Sequence, residues 1–386
     1  MTKKLYYQDS YIRTFEALVK ACTSMGKGYE VILDQTAFFP ESGGQYGDQG
    51  SLNNLEVVEV YERNKEIIHL LKEPLKAGAK VVGELDWKSR HLKMQQHSAE
   101  HIVSGLVKKR FGYDNVGFHL GTEDSTLDFN GEITPGQLRE LEWQANEWVV
   151  ANLDIIEMYP SGEEAEQLEF RSKIELDEGL RIVVIPGVDQ CACCAPQLRK
   201  TGEIGLIKLT NIQRHKGGVR ITMLCGVRAL IDYSKKERSV KGISQLLSVK
   251  EDEVEEGVQG LKEEVEFWKK RNNDMTNHLI GYKVKEIPKN GKICLFEYEL
   301  EGEGPRHLMN AVLEEDKEVC AVFYPDHKEG FRYTIGSKTI DVRPIGKELN
   351  EAFHGRGGGK ANMIQGSVKG EESQIREWFR KGVPSG

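Results

Sequence analysis

Two short runs of this chain carry side chains that bind metals. His97 and His101 are four residues apart, about one helical turn, so their imidazoles share one side of a predicted helix. Further along, Cys191, Cys193 and Cys194 crowd into four positions, on a predicted turn after a strand. Imidazole nitrogen and thiolate sulfur are the usual ligands of zinc. Because the chain has only ten histidines and seven cysteines, this clustering predicts a zinc site.

The bulk composition limits the class of protein that holds this site. The chain has 386 residues, which suits two or three domains, and a net charge of −8, which argues against a nonspecific nucleic-acid binder. No stretch approaches about 18 apolar residues and the start is polar, so we expect no membrane span, no signal peptide and a cytoplasmic location. The odd number of crowded cysteines indicates reduced thiols.

Four segments must position the metal-binding runs, and together they predict an α+β fold. Residues 1–90 alternate short strands with glycine-rich turns, which is typical of a small β-barrel. Residues 91–233 combine two helices with a mostly antiparallel sheet and contain the predicted zinc site. Residues 234–284 are a helical linker, and residues 285–386 alternate strands and helices as in an α/β domain.

The helical linker has the clearest periodicity. From Leu247 to Tyr282, apolar residues recur at spacings of four and three, with Asn272 as one polar position. Such a seam is typical of a coiled coil. It predicts either contact with a second copy of the chain or an arm that packs within its own chain.

Positive charge concentrates after the cysteine run. From residue 195 to residue 250, twelve Lys and Arg stand against three acids, and Arg214, Lys216 and Arg220 lie in a strand-like stretch with apolar neighbours. This stripe either follows a phosphate backbone or is a solvated basic face.

A second cationic feature lies near the end of the chain. Gly357, Gly358 and Gly359 stand between Arg356 and Lys360. Glycines expose backbone N–H groups, and cations beside them favour anions, so the run predicts an anion-binding cradle. No Ser or Thr follows the lysine, so this is not a Walker loop.

In their order along the chain, these motifs resemble the editing domain of alanyl-tRNA synthetase and its free-standing relatives, the AlaX trans-editing proteins. The resemblance rests on His-x-x-x-His, on the cysteine before residues 201–205 (Thr-Gly-Glu-Ile-Gly) and on the glycine-rich run at residues 38–45. The Gly-Arg-Gly-Gly-Gly-Lys run resembles the DHH-associated C-terminal domain, which holds tRNA in the family. The likeness covers nearly the whole chain and matches the long form of AlaX.

The resemblance implies an aminoacyl-tRNA hydrolase. A pocket sized for alanine cannot strongly reject serine, so a second site must hydrolyse the seryl ester. Because the barrel-like segment begins near residue 5, we expect no aminoacylation domain and an enzyme that acts on tRNA(Ala) charged elsewhere with serine or glycine. We also expect a homodimer through the coiled coil or the C-terminal domain. The alternative is a catalytically impaired, zinc-containing tRNA-binding or regulatory protein.

The resemblance assigns metal ligands with one departure. Alignment on residues 201–205 places Cys193 with the two helix histidines but puts Gln197 where the family has a histidine. A neutral amide oxygen is a poor zinc ligand, so the fourth ligand is water, Gln197 or a neighbouring thiolate. Cys191 ranks above Cys194, because alternate residues of a strand share a face. The zinc would either position the site and the tRNA end or polarise the ester.

The resemblance also implies residues around the substrate. His119 falls in a strand that the family places at the floor of the pocket, where it would act as a general base or hold water. The alternative is a purely structural histidine. Thr122, Ser125 and Thr126 are the candidates for the hydroxyl that recognises serine, and the sequence does not choose among them.

Overall fold

The chain forms two compact units, residues 1–242 and 243–386, both built from helices and sheets. The predicted mixed α+β class is therefore confirmed, while the predicted boundaries inside each unit remain predictions. The computed structural model describes residues 1–26, 28–172, 180–288, 291–326 and 330–382. None of the helices in these ranges is both long enough and apolar enough to cross a bilayer.

The first unit begins with strands. They are β1 (Lys3–Lys4), β2 (Thr14–Met25), β3 (Gly28–Leu33), β4 (Gln35–Thr36), β5 (Gly50–Leu52), β6 (Leu55–Arg63), β7 (Glu66–Leu71) and β8 (Lys80–Leu85). Six of them close into a barrel in the order β2-β3-β7-β6-β5-β8. Alternate residues of β2 (Phe15, Ala17 and Val19) are buried inside, as the two-residue period of a strand requires. The long connection from β4 to β5 reaches His97, one of the candidate metal ligands.

The rest of the first unit packs two helices on a sheet. Its elements are α1 (Trp87–Phe111), β9 (Asn115–Leu120), β10 (Ser125–Phe129), α2 (Pro135–Ala151), β11 (Ile156–Met158), α3 (Gly162–Glu166), β12 (Ile182–Ile185), β13 (Asp189–Ala192), β14 (Ile207–His215), β15 (Gly218–Cys225) and α4 (Val227–Leu247), which runs into the second unit. One antiparallel sheet has the order β14-β15-β10-β9, and a smaller one has the order β11-β12-β13. A single apolar core joins α1 and α2 to the larger sheet.

Local sequence explains where α1 begins and ends. The side chain of Asp86 accepts a hydrogen bond from the backbone N–H of Ser89, which caps the first turn. Gly112 ends the helix with a φ of 74°, a left-handed conformation that glycine adopts without a steric penalty. Between these caps nearly every residue from 93 to 107 is buried, so α1 is the central helix of the unit.

The second unit contains a long helix and a five-stranded sheet. Its elements are α5 (Val254–Glu286), β16 (Ile293–Phe296), α6 (Gly304–Glu314), β17 (Cys320–Pro325), β18 (Phe331–Gly336), α7 (Arg343–Ala352), β19 (Arg356–Lys360), β20 (Met363–Val368) and α8 (Glu372–Gly382). The sheet order is β16-β17-β18-β20-β19. The triple glycine therefore lies in an edge strand paired with β20, not in an isolated loop.

The predicted seam on α5 is mostly exposed. Val258, Leu261, Val265 and Trp268 keep 44–56% of their surface in contact with solvent. Among the described residues of α5, Ile280 is the one that is buried, in the core beside β16 and α6. The seam is thus not covered by other residues of the second unit.

Candidate metal centre

Helix α1 brings the two predicted histidine ligands together. His97 and His101 are both buried, and their rings lie 5.7 Å apart at an interplanar angle of 26°. Cys193 follows β13 directly, and its Sγ lies 3.4 Å from Nε2 of His97. The ligand atoms of all three residues lie within 4.8 Å of one another. The three residues that the sequence placed together are thus neighbours in the fold.

The outward nitrogen of each imidazole is held by an oxygen. Nδ1 of His97 lies 3.2 Å from Oε1 of Gln45, and Nδ1 of His101 lies 2.9 Å from Oδ2 of Asp189. Arg171 donates two hydrogen bonds of 2.7 Å to the same Asp189 carboxylate. These contacts favour a proton on Nδ1 and leave Nε2 free, which is how histidine ligands of metals are commonly oriented.

The donor atoms that face one another fit a metal ion. Nε2 of His101 is buried and makes no hydrogen bond to any residue that the structure describes. Burial would raise the pKa of Cys193, but the two histidines, above all His97, hold it well below its usual value. Burial would likewise lower the pKa of His101, but Asp189 and Cys193 raise it to about 10. The raised pKa indicates that His101 carries a proton beside the Cys193 thiolate, and a metal ion bound by Nε2 and Sγ would take the place of that proton.

Gln197 lies beside the cysteine without directing its oxygen at it. Its side-chain oxygen accepts a hydrogen bond of 2.6 Å from Ser98, and its amide nitrogen lies 3.5 Å from Sγ of Cys193. Its backbone carbonyl accepts from the hydroxyl of Ser10. Gln197 is thus buried and fixed next to the three candidate ligands.

The other two cysteines lie elsewhere. Cys191, ranked first as a fourth thiolate ligand, groups with His101 and Asp189 instead of joining the group around Cys193. The ranking of Cys191 above Cys194 stays a prediction. Asp189 already holds Nδ1 of His101, and burial raises the pKa of the Cys191 thiol. Cys194 points to the barrel connection, where its sulfur lies 3.4 Å from Oγ of Ser42.

The glycine-rich connection from the barrel covers one side of the candidate centre. The carbonyl of Gly44 accepts a hydrogen bond of 3.0 Å from the N–H of Leu120 in β9. Gly44 has a φ of +79°, and a Cβ at this position would lie 2.3 Å from the carbonyl oxygen of Phe118. Only glycine fits this approach, which brings Gln45 to His97.

A buried charge cluster holds this connection against α1. Asp48 is buried at 2% exposure and pairs with Arg90, at 1% exposure. Arg90 also donates to the carbonyls of Ser10 and Ala37. Lys93, at 0% exposure, donates to the Gly47 carbonyl and lies 3.6 Å from the Asp48 carboxylate. We call Asp48, Arg90 and Lys93 the clamp, because they join the barrel connection to the helix of the metal ligands.

The structure separates the other predicted site residues from this centre. Neighbouring strand residues point to opposite faces, and it is Phe118 whose ring lies 5.0 Å from that of His97. His119 is therefore exposed on the far face of the sheet, and Thr126, its partner in register, shares that face. Thr122 lines a cavity of about 400 Å³ bounded in part by Thr210, Thr222 and Arg228.

Of the three candidate hydroxyls, Ser125 is the one on the face of the ligands. It pairs with Leu120, which is two residues from Phe118 and therefore on the same face as that ring. Ser125 is fully buried, and its Oγ makes no hydrogen bond within the described part of the chain. A buried hydroxyl without a partner is costly, which makes Ser125 the candidate of the three that a hydrogen bond from a ligand would stabilise most.

The candidate tRNA-binding cations differ in their exposure to solvent and in whether a carboxylate already pairs with them. Arg214 and Lys216 are exposed at the end of the β14–β15 hairpin. Arg220 instead donates two hydrogen bonds, of 2.6 and 2.8 Å, to Asp128, so its charge is already compensated within the sheet. In the second unit, every residue of β19 (Arg356–Lys360) is exposed.

The chain is similar to tRNA synthetases and to alanyl-tRNA editing proteins. Residues 3–89 match the family described as class II (A) tRNA synthetases, and residues 180–222 match the second additional domain of threonyl and alanyl tRNA synthetases. The chain is 28% identical to the alanyl-tRNA editing protein AlaX-L of Pyrococcus horikoshii, over 97% of this chain and 96% of that protein. It is 26% identical to an alanyl-tRNA editing protein of Mus musculus, over 94% and 93%.

A longer relative is matched only in part. The chain is 29% identical to the alanine–tRNA ligase of Pyrobaculum neutrophilum over 99% of this chain, but this match spans 44% of the ligase. The predicted resemblance to the free-standing editing proteins is confirmed over nearly the full length of the chain.

Proposed function

Because this chain resembles alanyl-tRNA editing proteins from end to end, we propose that it is an aminoacyl-tRNA hydrolase that edits mischarged tRNA(Ala) in the cytoplasm. The observation that carries the proposal is the buried group His97, His101 and Cys193, in a chain that matches both members of this protein class and their characteristic second domain. The reaction would be attack of water on the ester between the amino acid and the terminal ribose of the tRNA.

We assign different roles to the residues in and around this group. His97, His101 and Cys193 would hold a zinc ion, which when bound supplies a Lewis acid for the ester or an anchor for the tRNA end. Gln45 and Asp189 would orient the two histidines through their Nδ1 atoms. The unpartnered hydroxyl of Ser125 would hydrogen-bond the side chain of a seryl substrate, in preference to Thr122 and Thr126. His119, exposed on the far face, would not act as the base.

A deacylation assay tests this function. Purified protein should release serine from seryl-tRNA(Ala) much faster than alanine from alanyl-tRNA(Ala), and the release of glycine from glycyl-tRNA(Ala) is measured beside them. Alanine leaves a buried hydroxyl unpaired, which disfavours it by about 1–3 kcal/mol. Ser125→Ala should reduce the preference for serine, whereas Thr126→Ala on the opposite face should not. Equal rates on seryl and alanyl esters would refute a selective editing enzyme.

The second candidate is a zinc-containing tRNA-binding or regulatory protein without catalysis. It is favoured by one observation, the presence of Gln197 where the family has a histidine. Binding of tRNA(Ala) with no release of any amino acid would support it against the hydrolase.

We further propose that β19 (Arg356–Lys360) contacts the tRNA backbone. As the edge strand of its sheet it has backbone groups that no other strand pairs with in the described part of the chain. Two cavities lined by Gly358 and Gly359 also include Lys347 and Lys338. Replacing Arg356 and Lys360 together by alanine should weaken tRNA binding and reduce its salt dependence by about one unit of slope for each lost phosphate contact. The rate at saturating tRNA should be unchanged. Unaltered affinity at low and moderate salt would refute the contact.

The exposed seam on α5 supports a homodimer with antiparallel helices. Residues 254–266 carry five acids and one lysine, whereas residues 267–286 carry five Lys or Arg and two acids. An antiparallel copy would place each acidic half against a basic half, around Trp268. Trp268→Glu should dissociate the dimer in sedimentation experiments, whereas Phe267→Glu, a neighbouring exposed residue outside the seam, should not. A monomeric wild-type protein would refute this pairing.

A further inference from the structure

The orientation of the Gln197 amide is fixed by its neighbours. Oγ of Ser98 accepts a hydrogen bond from the N–H of Leu198 at 3.2 Å, so its own proton is free to be donated. That proton goes to Oε1 of Gln197, 2.6 Å away. With its oxygen engaged, the amide turns its NH₂ group to Sγ of Cys193, at 3.5 Å. The group that meets the sulfur is a hydrogen-bond donor.

A donor cannot be a metal ligand, but it can stabilise a thiolate. The amide nitrogen has no free lone pair for a cation, whereas its N–H polarises toward negative sulfur. Gln197 therefore occupies the sequence position of a ligand while it acts on the cysteine from outside. Outer partners of this kind tune metal affinity.

Within the described residues, no other histidine, cysteine, aspartate or glutamate side chain joins His97, His101 and Cys193 closely enough to be a fourth protein ligand. Cys191 groups with His101 and Asp189 and does not belong to the group of His97, His101 and Cys193, and Cys194 faces Ser42. Oε2 of Glu100 is 4.0 Å from Nε2 of His101, but Glu100 does not belong to either group of ligand atoms, and its other oxygen accepts from Ser104. Three protein ligands with one open position are typical of catalytic zinc sites, whereas structural sites have four.

We propose that this protein binds zinc through His97, His101 and Cys193 alone, leaves one coordination position open to a small ligand, and uses Gln197 as a hydrogen-bond donor to the Cys193 thiolate. The inference rests on the proposed metal site, and it can be tested without any measurement of hydrolysis. A deacylation assay on the same preparation shows independently whether the proposed function holds.

Cobalt substitution provides the test, because the visible spectrum of Co²⁺ reports its coordination. The metal-free full-length protein is titrated with Co²⁺, and azide is then added as a small exogenous ligand. In the wild type, azide should change the ligand-field bands. Gln197→His supplies a fourth ligand, so its spectrum should not respond to azide and its zinc affinity should exceed that of the wild type. Gln245→His, an added histidine on an exposed helix position, is the control for adventitious binding.

The alanine variant separates donor from ligand. Gln197→Ala should still bind one metal per chain, with a shifted sulfur-to-cobalt charge-transfer band and an affinity lower by about 10–100-fold. Loss of stoichiometric metal in this variant, as expected for Cys193→Ser, would show that Gln197 is a ligand and overturn the proposal. A wild-type spectrum that is insensitive to azide, or a wild-type protein that binds no metal, would also overturn it.

Discussion

Asp48→Asn tests whether the clamp holds the barrel connection to α1. The substitution keeps the shape of the side chain but removes the carboxylate that pairs with Arg90 and lies 3.6 Å from Lys93. Nε of Arg90 donates to Asp48 at 2.9 Å, and the N–H of Phe39 donates to it at 2.7 Å. Burial already lowers the pKa of Lys93, which Asp48 partly offsets. The variant would leave two buried cations with backbone carbonyls as their main partners.

The expected cost follows from this burial. Removing one partner of a buried ion pair typically costs about 3–5 kcal/mol, because the remaining charge is uncompensated. Exposed pairs contribute about 0–1 kcal/mol. Glu56→Gln is a matched control, because it removes one carboxylate from a pair with Lys72 in which both side chains are at least 66% exposed. A loss of 3–5 kcal/mol would be a large share of the about 5–15 kcal/mol that stabilises a typical domain.

Amide hydrogen exchange is the appropriate assay, because two compact units make a single unfolding transition an unsafe assumption. Exchange of peptides from β3, β7 and α1 should accelerate strongly in Asp48→Asn, while peptides of the second unit should be unchanged. The control should resemble the wild type throughout. If Asp48→Asn costs less than about 1 kcal/mol in these peptides, the carboxylate does not neutralise the buried cations and the reasoning fails.

Three further results are expected. Asp189→Asn should lower zinc affinity by about 10–100-fold in competition with a chelator, because an amide orients a histidine ligand less firmly than a carboxylate; unchanged affinity would contradict this role. Gly44→Ala should cost more than about 1 kcal/mol in the hydrogen exchange of peptides from the first unit, because its positive φ and the nearby carbonyl exclude a Cβ, and a neutral effect would show that the connection can move. Burial holds the pKa of His69 down to about 4, so below pH 6.5 the unfolded chain takes up a proton that the folded chain refuses. Stability should therefore be complete above pH 6.5 and fall toward pH 4 by up to about 1.4 kcal/mol per pH unit; His69→Gln should remove this part of the slope, and an identical slope would contradict it.

The metal centre shows which features can be inferred from sequence. The helical spacing of His97 and His101 fixes their common side whatever surrounds them, so this pair was predictable. The strand alternation that ranks Cys191 above Cys194 also applies to Asp189, two residues before Cys191, but it does not indicate that Asp189 holds His101. The amide direction of Gln197 was not predictable, because it depends on a serine about a hundred positions away in the chain.

Sheet partners were harder to predict than strands. The short strands predicted within residues 1–90 appear as β1 to β8, since a two-residue period is local. Which face of β10 meets α1 depends on distant packing, so the sequence could not choose among Thr122, Ser125 and Thr126. The glycine run at residues 356–360 has no periodicity of its own, so its pairing with β20 was not visible in the sequence.

The spacing of the candidate ligands along the chain has a consequence for folding. The contact from His97 to Cys193 spans 96 positions, and that from His97 to Gln45 spans 52. Contacts between such remote segments form late in folding. The chain loses the entropy of a large loop before the contact contributes any stabilisation. A chain whose barrel, α1 or β13 has not yet docked therefore lacks the complete donor set. Metal uptake would then report that the first unit has finished folding. Zinc would stabilise only those molecules in which the barrel, α1 and β13 have docked.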